Sequence, residues 1–241
     1  PLSKVYAETT YDNCNKYDQH FVTTQDEVRE FNAWYEAGIA DQQNGTSTQD
    51  DLFPGYKVPK SIKNWPAHGD VSLGQDYYLA PFFDFNGDGH YHWEDGDFPW
   101  YDIKKTKSCS IDRSVALYGD QNFWWVMNDK GNIHTETGAD PIGMEIRAQA
   151  FAFASNDEIN NMTFYNYELI NRGTQTLYNT YFGFFTDGAL GDPYDDYVGC
   201  DVNRGLAYYY NGDNYDGDNS GYKGYGYSPP AVGVDFFEGP Y

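Results

Sequence analysis

Residues 144–154 form the strongest alternation in the chain. Met144, Ile146, Ala148, Ala150 and Ala152 fall on one side of an extended backbone, and Glu145, Arg147, Gln149, Phe151 and Phe153 on the other. A period of two belongs to a strand, and small residues set against aromatic ones predict two sheets packed together. Other stretches follow the same pattern. Segments 164–170 and 176–185 flank a turn at Asn171-Arg172-Gly173, and segments 122–126 and 133–137 read as a hairpin across Asp129-Lys130-Gly131-Asn132. Segments 77–83, 205–210 and 232–237 add further strands. The expected fold is mainly β: an antiparallel β-sandwich of roughly 8–10 strands with long calcium-binding loops and an N-terminal helical extension.

The helix is predicted over 24–41. Thr24 and Glu27 make a capping box, and Val28, Phe31, Tyr35 and Ile39 recur at helical spacing up to the Asn44-Gly45 turn. Residues 1–22 read as irregular, and 42–70 as a proline-bearing connection with one short helical turn near Ser61. This divides the chain into an N-terminal extension, 1–70, and a β domain, 71–241. The chain opens on Pro1 and stops at Gly239-Pro240-Tyr241 without a closing element, so it reads as a piece of a longer, exported polypeptide.

Fifteen Lys and Arg against 37 Asp and Glu leave a net charge of −22. Such a surface repels nucleic acid and anionic membrane, which are bound through basic side chains, and attracts divalent cations. No apolar run reaches transmembrane length, so no membrane insertion is expected. Acidity alone would point to disorder, but 24 Tyr, 16 Phe and 6 Trp can cover a large core. Cys14, Cys109 and Cys200 form no CxxC and leave the redox compartment open.

Residues 84–95 carry the clearest chemistry. Counting Asp84 as the first position, side-chain oxygens fall at positions 1 (Asp84), 3 (Asn86), 5 (Asp88) and 12 (Asp95). Gly89 stands where the turn is sharpest, and His90 follows with its backbone carbonyl. A hard cation wants roughly six to eight oxygens, and alternate residues of a tight loop can aim them at one centre. The predicted ion is Ca2+. A solvated acidic turn would not place its acids at alternate positions. A second acidic segment, 187–201, contributes Asp187, Asp192, Asp195, Asp196 and Asp201 as further candidate ligands. A third, 213–218, is shorter and richer in glycine, and reads first as a loop.

No Gly-x-Ser-x-Gly elbow, P-loop, GxGxxG or HExxH is present. Carboxylates are so plentiful that a glycosidase pair is open but unspecified. The chain is therefore read as a non-enzyme, with no catalytic residue assigned. Aromatic rings offer an alternative, since Trp93, Trp100, Trp124 and Trp125 are candidates for stacking on sugars in a carbohydrate-binding module. For the adjacent Trp124 and Trp125, alternation turns one ring inward.

Several stretches combine into a resemblance. They are 64–70 (Asn-Trp-Pro-Ala-His-Gly-Asp), the loop through 95–99 (Asp-Gly-Asp-Phe-Pro), 124–129 followed by 134–138, 160–172, 195–202 and 233–240. Together they resemble the large surface proteins of Bacteroidota exported by the type IX secretion system, which end in a C-terminal sorting domain. With Asp in place of Glu at position 12, the 84–95 loop resembles those of dockerins and other extracellular calcium repeats. The resemblance covers residues from about 60 onward. It implies a secreted or cell-surface location, contact with the type IX export machinery, and partners among other surface proteins or glycans. It carries over the 84–95 loop and the 195–201 stretch, and no catalytic residue. The expected role is an extracellular calcium-binding structural or adhesive domain. The alternatives are a carbohydrate-binding module and a secreted glycoside hydrolase-like enzyme.

Overall fold

The computed structural model describes residues 10–101, 117–130 and 133–239. The chain separates into two compact units, Pro1–Thr176 and Leu177–Tyr241. Position 70, where the sequence placed a boundary, falls inside the first unit. More of the described chain is strand than helix, and every sheet is antiparallel.

The first unit opens with helix α1 (Tyr11–Tyr17), capped by the Thr10 hydroxyl, which accepts the Asn13 N–H at 3.2 Å. Strand β1 (Phe21–Thr24) runs directly into helix α2 (Gln25–Asn44). The region predicted to be irregular therefore holds a helix and an edge strand. The predicted capping box is present. The Thr24 hydroxyl accepts the Glu27 N–H at 3.2 Å, and the Glu27 carboxylate accepts the Thr24 N–H at 3.2 Å. The helix ends on Gly45, whose φ of 67° no β-branched residue would adopt cheaply. Two short helices follow, α3 (Gln49–Leu52) and α4 (Lys60–Lys63).

Strands β2 (Phe82–Phe83) and β3 (Phe98–Pro99) form a short ladder, with Phe83 opposite Phe98. Their rings stack at 4.6 Å and 12°. Strands β4 (Gln121–Asn128), β5 (Met144–Ala152) and β6 (Thr163–Asn171) join β1 in a sheet of order β1-β4-β5-β6. The alternation of β5 is realised in register: Trp124 lies opposite both Phe21 and Gln149 and is buried. The core behind this face joins Val28 and Phe31 of α2, Ile62 of α4, Trp65, and the Phe83–Phe98 pair. What covers the sheet within this unit is thus helix, loop and the short ladder. An ion network ties the 76–79 segment to the sheet. Arg147 reaches Asp76 at 2.9 Å and Glu145 at 2.7 Å, while Arg172 reaches Glu145 at 2.9 Å and also pairs with Asp76.

Two predicted strands are absent. The partner of β4 is β5, not 133–137, because Asp129 gathers the start of β5. Its carboxylate accepts the backbone N–H groups of Ile142, Gly143 and Met144. Residues 133–137 form a turn region, and Gly131 and Asn132 lie outside the described residues. Segment 176–185 belongs to no ladder, and Asn179 interrupts it with φ of 51°.

The second unit contains β7 (Asp196–Asp201), β8 (Leu206–Asn211) and β11 (Ala231–Asp235) in the order β11-β8-β7. A second ladder pairs β9 (Tyr215–Asp216) with β10 (Gly226–Tyr227). The 211–230 region, read as loop, contains this ladder. Among the described residues of this unit, only Leu190, Asp192, Asn211 and Asp216 are buried.

Candidate functional site

The β2–β3 ladder closes the base of the 84–95 loop, so Asp84 leaves one strand just as Asp97 enters the other. Asp84 collects three backbone donors: one oxygen accepts the N–H of Gly87 at 2.7 Å and of Asp88 at 3.2 Å, the other that of Gly89 at 2.7 Å. Asn86 accepts the Asp88 N–H at 3.0 Å, and Asp88 accepts the His90 N–H at 2.7 Å. The Asn86 amide also donates to Asp88 at 3.0 Å. Each alternate side chain therefore folds back on its own loop and turns its oxygens inward. Gly87 and Gly89 supply the required left-handed bends, at φ of 74° and 77°. Asp84, Asn86 and Asp88 are linked by these hydrogen bonds within one loop.

Asp95 ends a short 3-10 turn, Trp93–Asp95, and the residue that reaches back into the loop is Asp97. Fully buried, Asp97 accepts the Phe85 N–H at 2.8 Å and the His92 N–H at 2.9 Å. Burial pushes its carboxyl up to about 6; the two N–H groups oppose this, and the charges of Asp84 and Asp88 add to it. The sequence signal for Asp97 was only its place beside the last loop position. The other wall is His68. Its Nε2 accepts the Tyr91 N–H at 2.8 Å and its Nδ1 meets the Tyr77 carbonyl at 3.1 Å. An Nε2 acceptor and an Nδ1 donor define one neutral tautomer and leave neither nitrogen for a metal. Burial lowers the pKa of His68. The His90 ring is turned onto the Tyr77 hydroxyl.

The second acidic segment divides. Asp192 and Asp196 lie close enough to Asp195 for their charges to act on it, whereas Asp187 is exposed and Asp201 sits at the far end of β7, paired with Arg204 at 3.6 Å. Asp216, from the third segment, joins the first three: it accepts the Asp192 N–H at 3.2 Å and the Tyr225 N–H at 2.7 Å. Among the described residues, no group of three or more His, Cys, Asp or Glu side chains stands at the mutual spacing of a formed metal site.

Of the tryptophans, Trp124 is core, Trp93 lies under the Lys63 ammonium at 4.7 Å, and Trp100 packs edge-on to Phe83. Trp125 is half-buried on the opposite face against His20. A surface pocket of about 250 Å3 is lined by Lys16, Tyr17, Phe21, Trp65 and His68 among others, and by no carboxylate. Among the described residues, no helix is long and apolar enough to cross a membrane.

Compared with known proteins, the chain matches no family model, no curated protein and no solved structure.

Proposed function

We propose that the chain is a calcium-stabilised β domain of an exported bacterial surface protein, with a structural or adhesive role. One observation carries this reading. Asp84, Asn86 and Asp88 turn their oxygens into one tight loop, and Asp97 lies beneath it. No basic side chain among the described residues forms an ion pair with these acids. Carboxylates held together without a cation repel, and an oxygen-only donor set suits a hard ion. Asp84, Asn86, Asp88, the His90 carbonyl and Asp95 are the proposed donors. Asp97 orders the loop from below.

Loops of this type bind weakly enough to be filled at millimolar calcium, which supports an extracellular or cell-surface setting. The resemblance to type IX cargo supports the same setting and export route, with surface proteins or glycans as partners. The test is a melt in calcium against a melt in EDTA, alongside calorimetric titration of the metal. Saturable binding with a raised melting temperature is expected. Identical melts and no binding heat would sink the reading.

A second reading, glycan recognition, is favoured by the tyrosines of β6. The rings of Tyr165 and Tyr167 lie 6.3 Å apart and 6° from parallel, and Tyr165 is 54% exposed. They stand in register with Ala150 and Ala148, whose small side chains leave room beside the rings. A sugar ring stacks on such a face. Saturable binding on a glycan array, lost in Tyr165→Ala/Tyr167→Ala, is the expected result; no binding to any glycan would remove it.

A further inference from the structure

The C-terminal unit has almost no apolar interior. Of its four buried described residues, Leu190 is apolar, and Asp192, Asn211 and Asp216 are 5%, 7% and 1% exposed. Buried charges are ordinarily paired or bound to metal, because desolvating a lone carboxylate costs far more than one hydrogen bond returns. None of Asp192, Asp195, Asp196 and Asp216 forms an ion pair among the described residues; Lys223 pairs with Asp218 and Arg204 with Asp201.

A second observation is independent of the acids. Asn211, more than nine-tenths buried, donates its amide N–H to the Asp213 carbonyl at 3.2 Å but leaves its Oδ1 without a partner. It stands directly opposite Asp196 in the β7–β8 ladder, so both side chains leave the same face. Oδ1 of Asp196 and Oδ1 of Asp195 are likewise buried and unpartnered. Three acceptor oxygens with no donor, among four acids with no cation, describe what a cation would complete.

The surrounding backbone is shaped around the group. Gly212 donates to the Asp195 carbonyl at 2.8 Å, and Leu190 donates to Asp196 at 2.7 Å. Gly191 has φ of 67°, and a Cβ there would come within 2.0 Å of Asp216 Oδ2.

We propose that Asp192, Asp195, Asp196, Asn211 and Asp216 form a divalent-cation site in the C-terminal unit, taking calcium by its all-oxygen donors. The carboxylates do not yet stand at ligand spacing. Loading therefore draws them inward and orders the 190–196 turn and the β9–β10 ladder. The site is independent of the 84–95 loop, and either can fail alone.

The test is calorimetric calcium titration of the full chain, its Asp88→Ala variant and its Asp195→Asn variant. Asp195→Asn is isosteric, and its Oδ1 has no hydrogen bond to lose. The parent is expected to take up two ions; Asp195→Asn weakens one at least tenfold and spares the other, which Asp88→Ala removes. Asp195→Asn binding like the parent overturns the site. Should that variant fail to fold, hydrogen exchange on the parent decides. Calcium-dependent protection at residues 188–196 and 211–226 supports the site, and exchange there unchanged by calcium overturns it.

Discussion

Asp97 accepts the backbone N–H of Phe85 at 2.8 Å, across the whole of the acidic loop, and with its other oxygen that of His92. One buried carboxylate thus holds both flanks of the loop. Its carboxyl is pushed up to about 6, against about 3.9 for the unfolded chain. An acid raised on folding holds its proton more tightly when folded, so its contribution is full below about 3.9 and fades as pH rises through about 6. In calcium-free buffer, the parent is expected to gain about 1 kcal/mol from this group between pH 7 and pH 5. Asp97→Asn should lack that gain. Urea midpoints of both chains at the two pH values check it.

His68 titrates in the opposite sense. Its neutral ring accepts the Tyr91 N–H, and protonation at Nε2 breaks that bond. Burial lowers its pKa, with the Tyr77 carbonyl opposing and His90 and His92 adding. Stability from this group is present above about 6.5 and falls as pH drops below it. An NMR titration is expected to place the His68 ring below 6.5 and to show the Tyr91 amide shifting with it.

Calcium removal should be visible in the melt. An ion at about 100 times its dissociation constant stabilises by about 2.7 kcal/mol. For a chain of this size that is about 5–10 °C. EDTA is expected to lower the melting temperature by that amount. Asp88→Ala should lower it in calcium and respond less to EDTA. A variant that melts like the parent in both buffers would remove Asp88 from the donor set.

Asp41 is the buried acid of α2. It accepts the Thr46 and Thr48 hydroxyls and the backbone N–H groups of Thr48 and Gln49, and these hold its carboxyl far below the usual range. A depressed acid contributes above about 3.9 and loses that contribution as pH falls. Asp41→Asn is expected to be less stable at pH 7 and to lose less on acidification from pH 4 to pH 2. Acid-unfolding curves of the two chains decide this.

Arg147 is 10% exposed and holds Glu145 and Asp76. Arg147→Met leaves Glu145, itself 16% exposed, without its nearest cation. Arg172 still pairs with both Glu145 and Asp76, so a loss of about 2 kcal/mol in urea unfolding is expected, for the charge-assisted bonds removed.

Local chemistry was legible in the sequence wherever cause and effect lie within a few residues. The Thr24–Glu27 capping box starts α2, the alternation over 144–154 makes β5, and the spacing of Asp84, Asn86 and Asp88 curls the loop. Each depends on neighbours one to five positions away. What the tertiary structure alone decided is partnership. Alternation marks a segment as extended but not which strand it meets. Asp129 settles the β4–β5 pairing by capping residues thirteen to fifteen positions on. Segment 176–185, equally patterned, joins no ladder. Asp97 sits beneath the loop, and Asp216 and Asn211 stand beside Asp192, Asp195 and Asp196, because strands and turns fold those positions together. Burial then turns separate, ordinary acids into one charged group.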